Sequence, residues 1–237
     1  MLPNFPKIEC PFIRKNFNCD PEDFKKYRSL YNIRNRKPVL YLVINEINPG
    51  YEWVLEDSET FCTEKLNGTN IQISVENNHI VHVQNRLNTV DLLELKTGFE
   101  QIPSGIFYSV GKGYFKGDGE HAGELVGPKL QGNPYKLLHH EYYPFPKAIS
   151  ELRYKSFHSH ERNFDNWSNW FKSYLFSLFY AKRHKIKIDK SIQAEGVVFY
   201  NLKRKAGGKI SWMAKLRRDM FPWYYDKIRV LDPVETR

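Results

Sequence analysis

The chain has 237 residues, 41% of them apolar and 27% charged, which is enough apolar material for a sizeable core and excludes a disordered polymer. No apolar run approaches the roughly 18–20 residues that span a bilayer, so no membrane partner is expected. The formal net charge of +9 favours a polyanionic partner, because each phosphate neutralised by Lys or Arg releases counterions.

The opening "MLPNFPKIECPF" has no basic flank ahead of an apolar run, so no signal peptide is expected. Cys10, Cys19 and Cys62 lack Cys-x-x-Cys spacing, which argues for reduced thiols in a cytoplasmic compartment and against a zinc ribbon or a disulfide framework. "CDPEDFKKYRSLY" predicts a helix start, with Asp20 as N-cap, Pro21 at the first helical position and two acids in the first turn. "KPVLYLVINEI" (37–47) reads as a strand. "NIQISVENNHIVHVQNR" reads as a β-hairpin: Ile71, Ile73 and Val75 alternate, Asn77-Asn78 suits a left-handed turn, and Val81 and Val83 alternate again. A short helix is expected over 89–102, then strands around "GIFYSVGKGYF" (105–115) and "HAGELVG" (121–127). Residues 163–184 carry aromatic and leucine residues at helical spacing and read as one amphipathic helix packed on the core. "EGVVFYNL" and "GKISWMAKL" read as an antiparallel pair joined by the basic "KRKAGGK". Hairpins with interspersed helices predict an α+β fold on antiparallel sheets.

Four stretches carry chemistry: "TEKLNGTN" (63–70), "HAGELVGPKLQGNPY" (121–135), "AEGVVF" (194–199) and "MAKLRRDMF" (213–221). A lysine nucleophile needs a neutral amine, favoured by desolvation or nearby positive charge. Lys65 is the candidate; Arg86, Lys215 and Arg217 could supply that charge and also bind phosphates. Glu124 and Glu195, on different strands, could hold a hard divalent cation and contact ribose hydroxyls. "GKGYFKGDGEH" lacks the following helix of a phosphate-binding P-loop, and "HSH" and His139-His140 lack metal-ligand spacing.

"EKLNGTN" resembles the lysine motif, Lys-x-Asp-Gly, of covalent nucleotidyltransferases. "AGELVGPKLQGNPY" resembles the Gly-Glu-φ-x-Gly-Pro-x-φ-Gln pattern (φ apolar) of ATP-dependent RNA ligases, in the branch typified by RNA ligase 2. "EGVVF" and "AKLRRDMF" resemble that family's fourth and closing motifs. The motifs occur in family order from about residue 60 onward, and the Glu124-to-Gln131 stretch is the most specific of them.

The resemblance implies a nucleotidyltransferase domain over 61–237, a 1–60 extension packed on it, and no separate C-terminal OB-type domain. It implies ATP as cosubstrate with AMP carried on Lys65, and Mg²⁺ or Mn²⁺ through Glu195 and Glu124. Nucleotide contacts are implied for Glu64, Asn67, Gly68, Arg86, Glu124, Glu195, Lys215 and Arg217. An aromatic shelf for the base is expected from Phe145 or Tyr143. The implied partner is RNA with 5′-phosphate and 3′-hydroxyl ends, acted on by a monomer, with room for a protein partner and a viral or phage origin. Two positions depart from the pattern: Asn67 stands where the family has Asp, and Arg217 where a second lysine is commoner. The alternatives are a ligase-like RNA-binding module that has lost catalysis, a DNA ligase, or a GTP-dependent capping guanylyltransferase.

Overall fold

Asp20 starts a helix as expected: its carboxylate accepts the backbone N–H groups of Glu22 and Asp23 at 3.1 and 3.0 Å, ahead of Pro21. The structure, a computed structural model, describes residues 8–86, 88–92, 99–115, 117–159, 161–203 and 212–234. Its first elements are β1 (Phe12–Cys19), α1 (Pro21–Tyr27), β2 (Val39–Ile47), α2 (Trp53–Glu56), β3 (Phe61–Lys65), β4 (Thr69–Glu76), β5 (His79–Asn85) and α3 (Gln101–Gly111). There follow β6 (Gly119–Val126), β7 (Glu141–Pro144), α4 (Phe145–Glu151), α5 (Phe164–Ser173), α6 (Leu178–His184), β8 (Gly196–Tyr200), β9 (Met213–Arg217) and β10 (Val230–Pro233). The strand pairings among β1, β2 and β10, among β4 to β7, and between β8 and β9 are antiparallel, and helices flank the sheets, so the fold is α+β.

The residues fall into two compact units interleaved along the chain. The first holds Thr63–Tyr154 and Phe176–Ala194; the second holds Ile8–Cys62, Lys155–Leu175 and Glu195–Arg237.

The first unit is built on a four-stranded sheet in the order β5-β4-β6-β7. The β4–β5 hairpin forms as its alternation predicts, and Asn77 and Asn78 both take positive φ, 49° and 64°. Their backbone N–H groups are held by the Asp118 carboxylate at 2.8 and 3.0 Å. One sheet face carries Ile71, Ile73, Val75, Val83, Leu125 and Tyr142, which bury against Ile102 and Ile106 of α3.

That helix corrects the strand expected over 105–115. Ile102, Gly105, Ile106 and Ser109 share a buried face at helical spacing, while Phe107 and Val110 point to solvent. Ser109 fixes the packing, its hydroxyl accepting the Tyr142 N–H at 3.0 Å. Of the helix expected over 89–102, residues 93–98 lie outside the described residues, as does most of the basic connector 203–209.

The second unit contains a three-stranded sheet, β10-β1-β2, and the β8–β9 hairpin. Val197, Phe199, Ala214 and Leu216 form the buried face of that hairpin. Trp167 of α5 stacks on Phe199 with ring centroids 4.9 Å apart. The single helix expected over 163–184 is two. The Tyr174 N–H closes α5 on the Trp170 carbonyl at 2.8 Å, and Ser177 opens α6 by accepting the Tyr180 N–H at 3.0 Å. A serine N-cap inside the aromatic stripe restarts the helix there, although the aromatic spacing continues. Trp167, Trp170 and Phe171 are buried as expected of a core stripe, but Tyr174 is 65% exposed. Among the described residues no helix is long and apolar enough to cross a membrane.

Candidate active site

Lys65 is the last residue of β3, half-buried, and its Nζ donates to the Leu66 carbonyl at 3.2 Å. The chain then turns through Leu66, Asn67 and Gly68 into β4. Two contacts fix that turn. The Asn67 N–H donates to the Tyr135 hydroxyl at 2.7 Å. Gly68 runs so close to β6 that an added Cβ would lie 2.1 Å from the Leu125 carbonyl oxygen and 3.0 Å from Glu124 Cγ. Its φ is not positive, so the glycine is required by close approach of backbone and not by a left-handed bend.

The register continues this closeness along the strands. Asn70 of β4 pairs with Glu124 of β6, and Glu124 pairs with Tyr143 of β7, so the three side chains share one face of the sheet. Arg86 lies one residue beyond the Ile71–Asn85 pair, at the same end of the sheet, and is exposed. Toward the other end the same face is polar and mostly buried: Gln72 and Ser74 both donate to the Glu120 carboxylate at 2.8 Å. One end of this sheet and the turn leading into it thus bring together Asn67, Gly68, Arg86 and Glu124 from separate sequence stretches, with Lys65 ending the strand just before that turn.

Tyr143 is a core residue and not an open shelf. It is fully buried, its hydroxyl donates to Glu151 at 2.5 Å, and the Arg183 guanidinium lies 5.0 Å from its ring centroid. Phe145, at the first position of α4, is only half-buried.

Glu64 has a structural engagement that its sequence position does not announce. Its buried carboxylate accepts the Ser177 hydroxyl at 2.6 Å and the Phe179 N–H at 2.7 Å, satisfying donors at the start of α6. Burial pushes its pKa up from 4.5 to about 7, against the lowering effect of those hydrogen bonds. The folded chain therefore favours the neutral acid. That contribution, on the order of 3 kcal/mol, is full below pH 4.5 and is lost as pH rises through about 7. Glu64→Gln is expected to flatten the fall in melting temperature between pH 4.5 and 7, measured by thermal unfolding across that range.

The remaining expected residues sit in the second unit. Gly196 faces Arg217 across the β8–β9 hairpin, and an added Cβ there would lie 2.2 Å from the Leu216 carbonyl oxygen. Val198 faces Lys215, so Lys215 and Arg217 project from the same hairpin face, opposite the buried one. Arg217 Nη1 lies 3.6 Å from Glu195 Oε1, and its Nε lies 3.1 Å from Asp219 Oδ1. Lys215 is tied through its backbone N–H to the Glu9 carbonyl at 2.9 Å.

Arg14 of β1 joins this group although nothing in "FIRKNF" signals it. Burial pushes the Cys10 thiol up to about 11, countered first by a backbone hydrogen bond at Phe12 and then by the charges of Arg14, Lys215 and Arg217. Arg14 donates to the Tyr41 carbonyl at 2.6 Å, and burial lowers its own pKa. Tyr135 has no local signal either; it ends the "GPKLQGNPY" stretch, and its contact with the lysine turn arises only once the Asn67 N–H reaches its hydroxyl. Among the described residues no group of three or more His, Cys, Asp or Glu side chains is poised for a metal ion.

The chain matches no protein-family model and no curated protein. Among solved structures it is similar to RNA ligase of Naegleria gruberi. A glutamate-to-alanine variant with ATP and Mn is 16% identical over 71% of this chain and 51% of the ligase, at a TM-score of 0.44. A lysine-to-methionine variant with AMP and Mn is 16% identical over 94% of this chain and 63% of the ligase, at a TM-score of 0.46. The chain thus spans 51% to 63% of the length of these ligases.

Proposed function

We infer that the chain is an ATP-dependent RNA ligase that works through a lysyl-AMP intermediate. The observation that carries this reading is the seating of the Lys65 turn on β6. Gly68 brings "EKLNGTN" into backbone contact with Leu125, beside Glu124, which supports a site shared by the lysine motif and the more specific Glu124-to-Gln131 stretch.

The chemistry then follows from these residues. Lys65 Nζ, once neutral, attacks the α-phosphorus of ATP; a P–N bond forms and the α–β anhydride breaks, with the electron pair leaving on pyrophosphate. Glu124 engages the ribose, and Phe145 borders the base. Arg86, Lys215 and Arg217 offset phosphate charge as it moves to the leaving group. An oxygen of the RNA 5′-phosphate next displaces Lys65 from the AMP phosphorus. The 3′-hydroxyl of the second strand then attacks that activated phosphate and AMP leaves. A divalent cation, Mg²⁺ or Mn²⁺, would bind through single carboxylates, Glu195 or Glu124, and complete its shell with phosphate oxygens and water. Its contribution would be to offset phosphate charge.

Intact-mass measurement after incubation with ATP and Mg²⁺ or Mn²⁺ tests the reading: one added AMP is expected. A label acquired from GTP alone would point instead to a capping guanylyltransferase. Absence of any adduct in folded protein would leave the RNA-binding module, with Asn67 as its symptom. Lys215→Ala is expected to slow AMP transfer on the order of 10²-fold, read as the rate of adduct appearance, with the melting temperature little changed.

A further inference from the structure

The second unit contains an open surface pocket of about 600 Å³, to whose lining the ligase-like stretches contribute only Arg218. That volume lies in the range of small-ligand sites. Its walls combine Leu30 and the aromatic rings of Tyr31, Trp223 and Tyr224 with the cations Lys172 and Arg218 and one carboxylate, Asp226. The rings are held in place from behind. Trp223 Nε1 donates to the Ser168 hydroxyl at 2.8 Å, and its ring stacks on Phe221 with centroids 5.4 Å apart. Arg218 Nε donates to the Phe171 carbonyl at 3.0 Å, which sets its guanidinium 5.4 Å from the Trp223 ring and 5.8 Å from that of Tyr224. Tyr31 donates to Asp226 Oδ1 at 2.5 Å and accepts the Lys227 N–H at 3.1 Å.

We propose that this pocket binds an unpaired nucleotide of a single-stranded RNA. Each aromatic or charged part of the wall matches one part of that ligand. Aromatic rings beside an arginine plane are the surface on which an unstacked base lies. Two cations against one carboxylate leave one net positive charge, the complement of a single phosphodiester. Asp226, with one oxygen taken by Tyr31, keeps acceptor capacity for a ribose 2′-hydroxyl. A purely apolar peptide would leave Lys172, Arg218 and Asp226 desolvated without partners, which disfavours it. The proposal does not depend on Lys65 chemistry.

The probe is a fluorescein-labelled oligouridylate lacking a 5′-phosphate, so that it cannot enter the sealing reaction, titrated against the full chain by anisotropy. Trp223→Ala and Lys172→Glu are each expected to weaken binding about tenfold. Lys172 is exposed, so its variant keeps the fold if the tryptophan variant does not. Photocrosslinking of the same oligonucleotide carrying 4-thiouridine is expected to label the peptide containing Trp223 and Tyr224. Unchanged affinity in the folded lysine variant, or crosslinks confined to other peptides, would overturn the proposal. If Lys65 acquires no AMP while both variants still lose RNA, the ligase reading falls and the pocket stands.

Discussion

Lys65→Ala is expected to abolish the AMP adduct entirely and to reduce sealing of 5′-phosphorylated RNA on the order of 10⁴-fold or more. Removal of a nucleophile costs a covalent mechanism its first bond, and no neighbouring group replaces it. The same variant should keep its fold, because the side chain is only half-buried and leaves the strand at its end. It should also still join a strand whose 5′-phosphate already carries AMP, because that step breaks no bond to lysine. Gel-based sealing assays on plain and pre-adenylylated strands separate the two outcomes. Equal loss on both substrates would mean that Lys65 acts in some way other than as the AMP carrier.

Gly68→Ala is expected to act on stability and chemistry together. The new methyl group meets the Leu125 backbone oxygen at 2.1 Å, where no rotamer change relieves the clash. The turn must lift off β6, at about 3 kcal/mol, or roughly 6–12 °C in melting temperature for a chain of this size. Lifting the turn also displaces the segment that follows Lys65 from the strand bearing Glu124, so adduct formation should slow more than the loss of folded protein explains. Calorimetry and adduct kinetics on the same sample check both parts. An unchanged melting temperature would show that the turn relaxes without cost.

How far the sequence foretold this arrangement depended on the reach of each interaction. The β4–β5 hairpin and the start of α1 were legible because their determinants are neighbours: alternating Ile and Val around two asparagines, and Asp20 next to Pro21. The stretch 105–115 misled because Ile106, Phe107, Tyr108 and Val110 favour strands individually. What decided the helix was the sheet that buries Ile102 and Ile106. The break at Tyr174 was hidden for a similar reason: the aromatic spacing continues, although Phe176 bridges to Gln193 and Ser177 restarts the helix.

Lys65, Glu124, Glu195 and Lys215 were legible as residue types in motif order, not as geometry. The closeness of Gly68 to Glu124 rests on pairing between strands some fifty residues apart. The engagement of Glu64 rests on Ser177 and Phe179, which are 113 and 115 positions away. No local pattern encodes either of them.

The interleaving of the two units also sets an order of events during synthesis. Once residue 194 has left the ribosome, every segment of the first unit is available to fold. The second unit must wait for β10, whose Pro233 pairs with Phe17 of β1 at the opposite end of the chain. At 5–20 residues per second that wait lasts on the order of 2–8 s. During it β1 has β2 on one side and an unpaired edge on the other, a surface open to mispairing. The nascent chain is therefore most exposed to aggregation just after the lysine-bearing unit has formed.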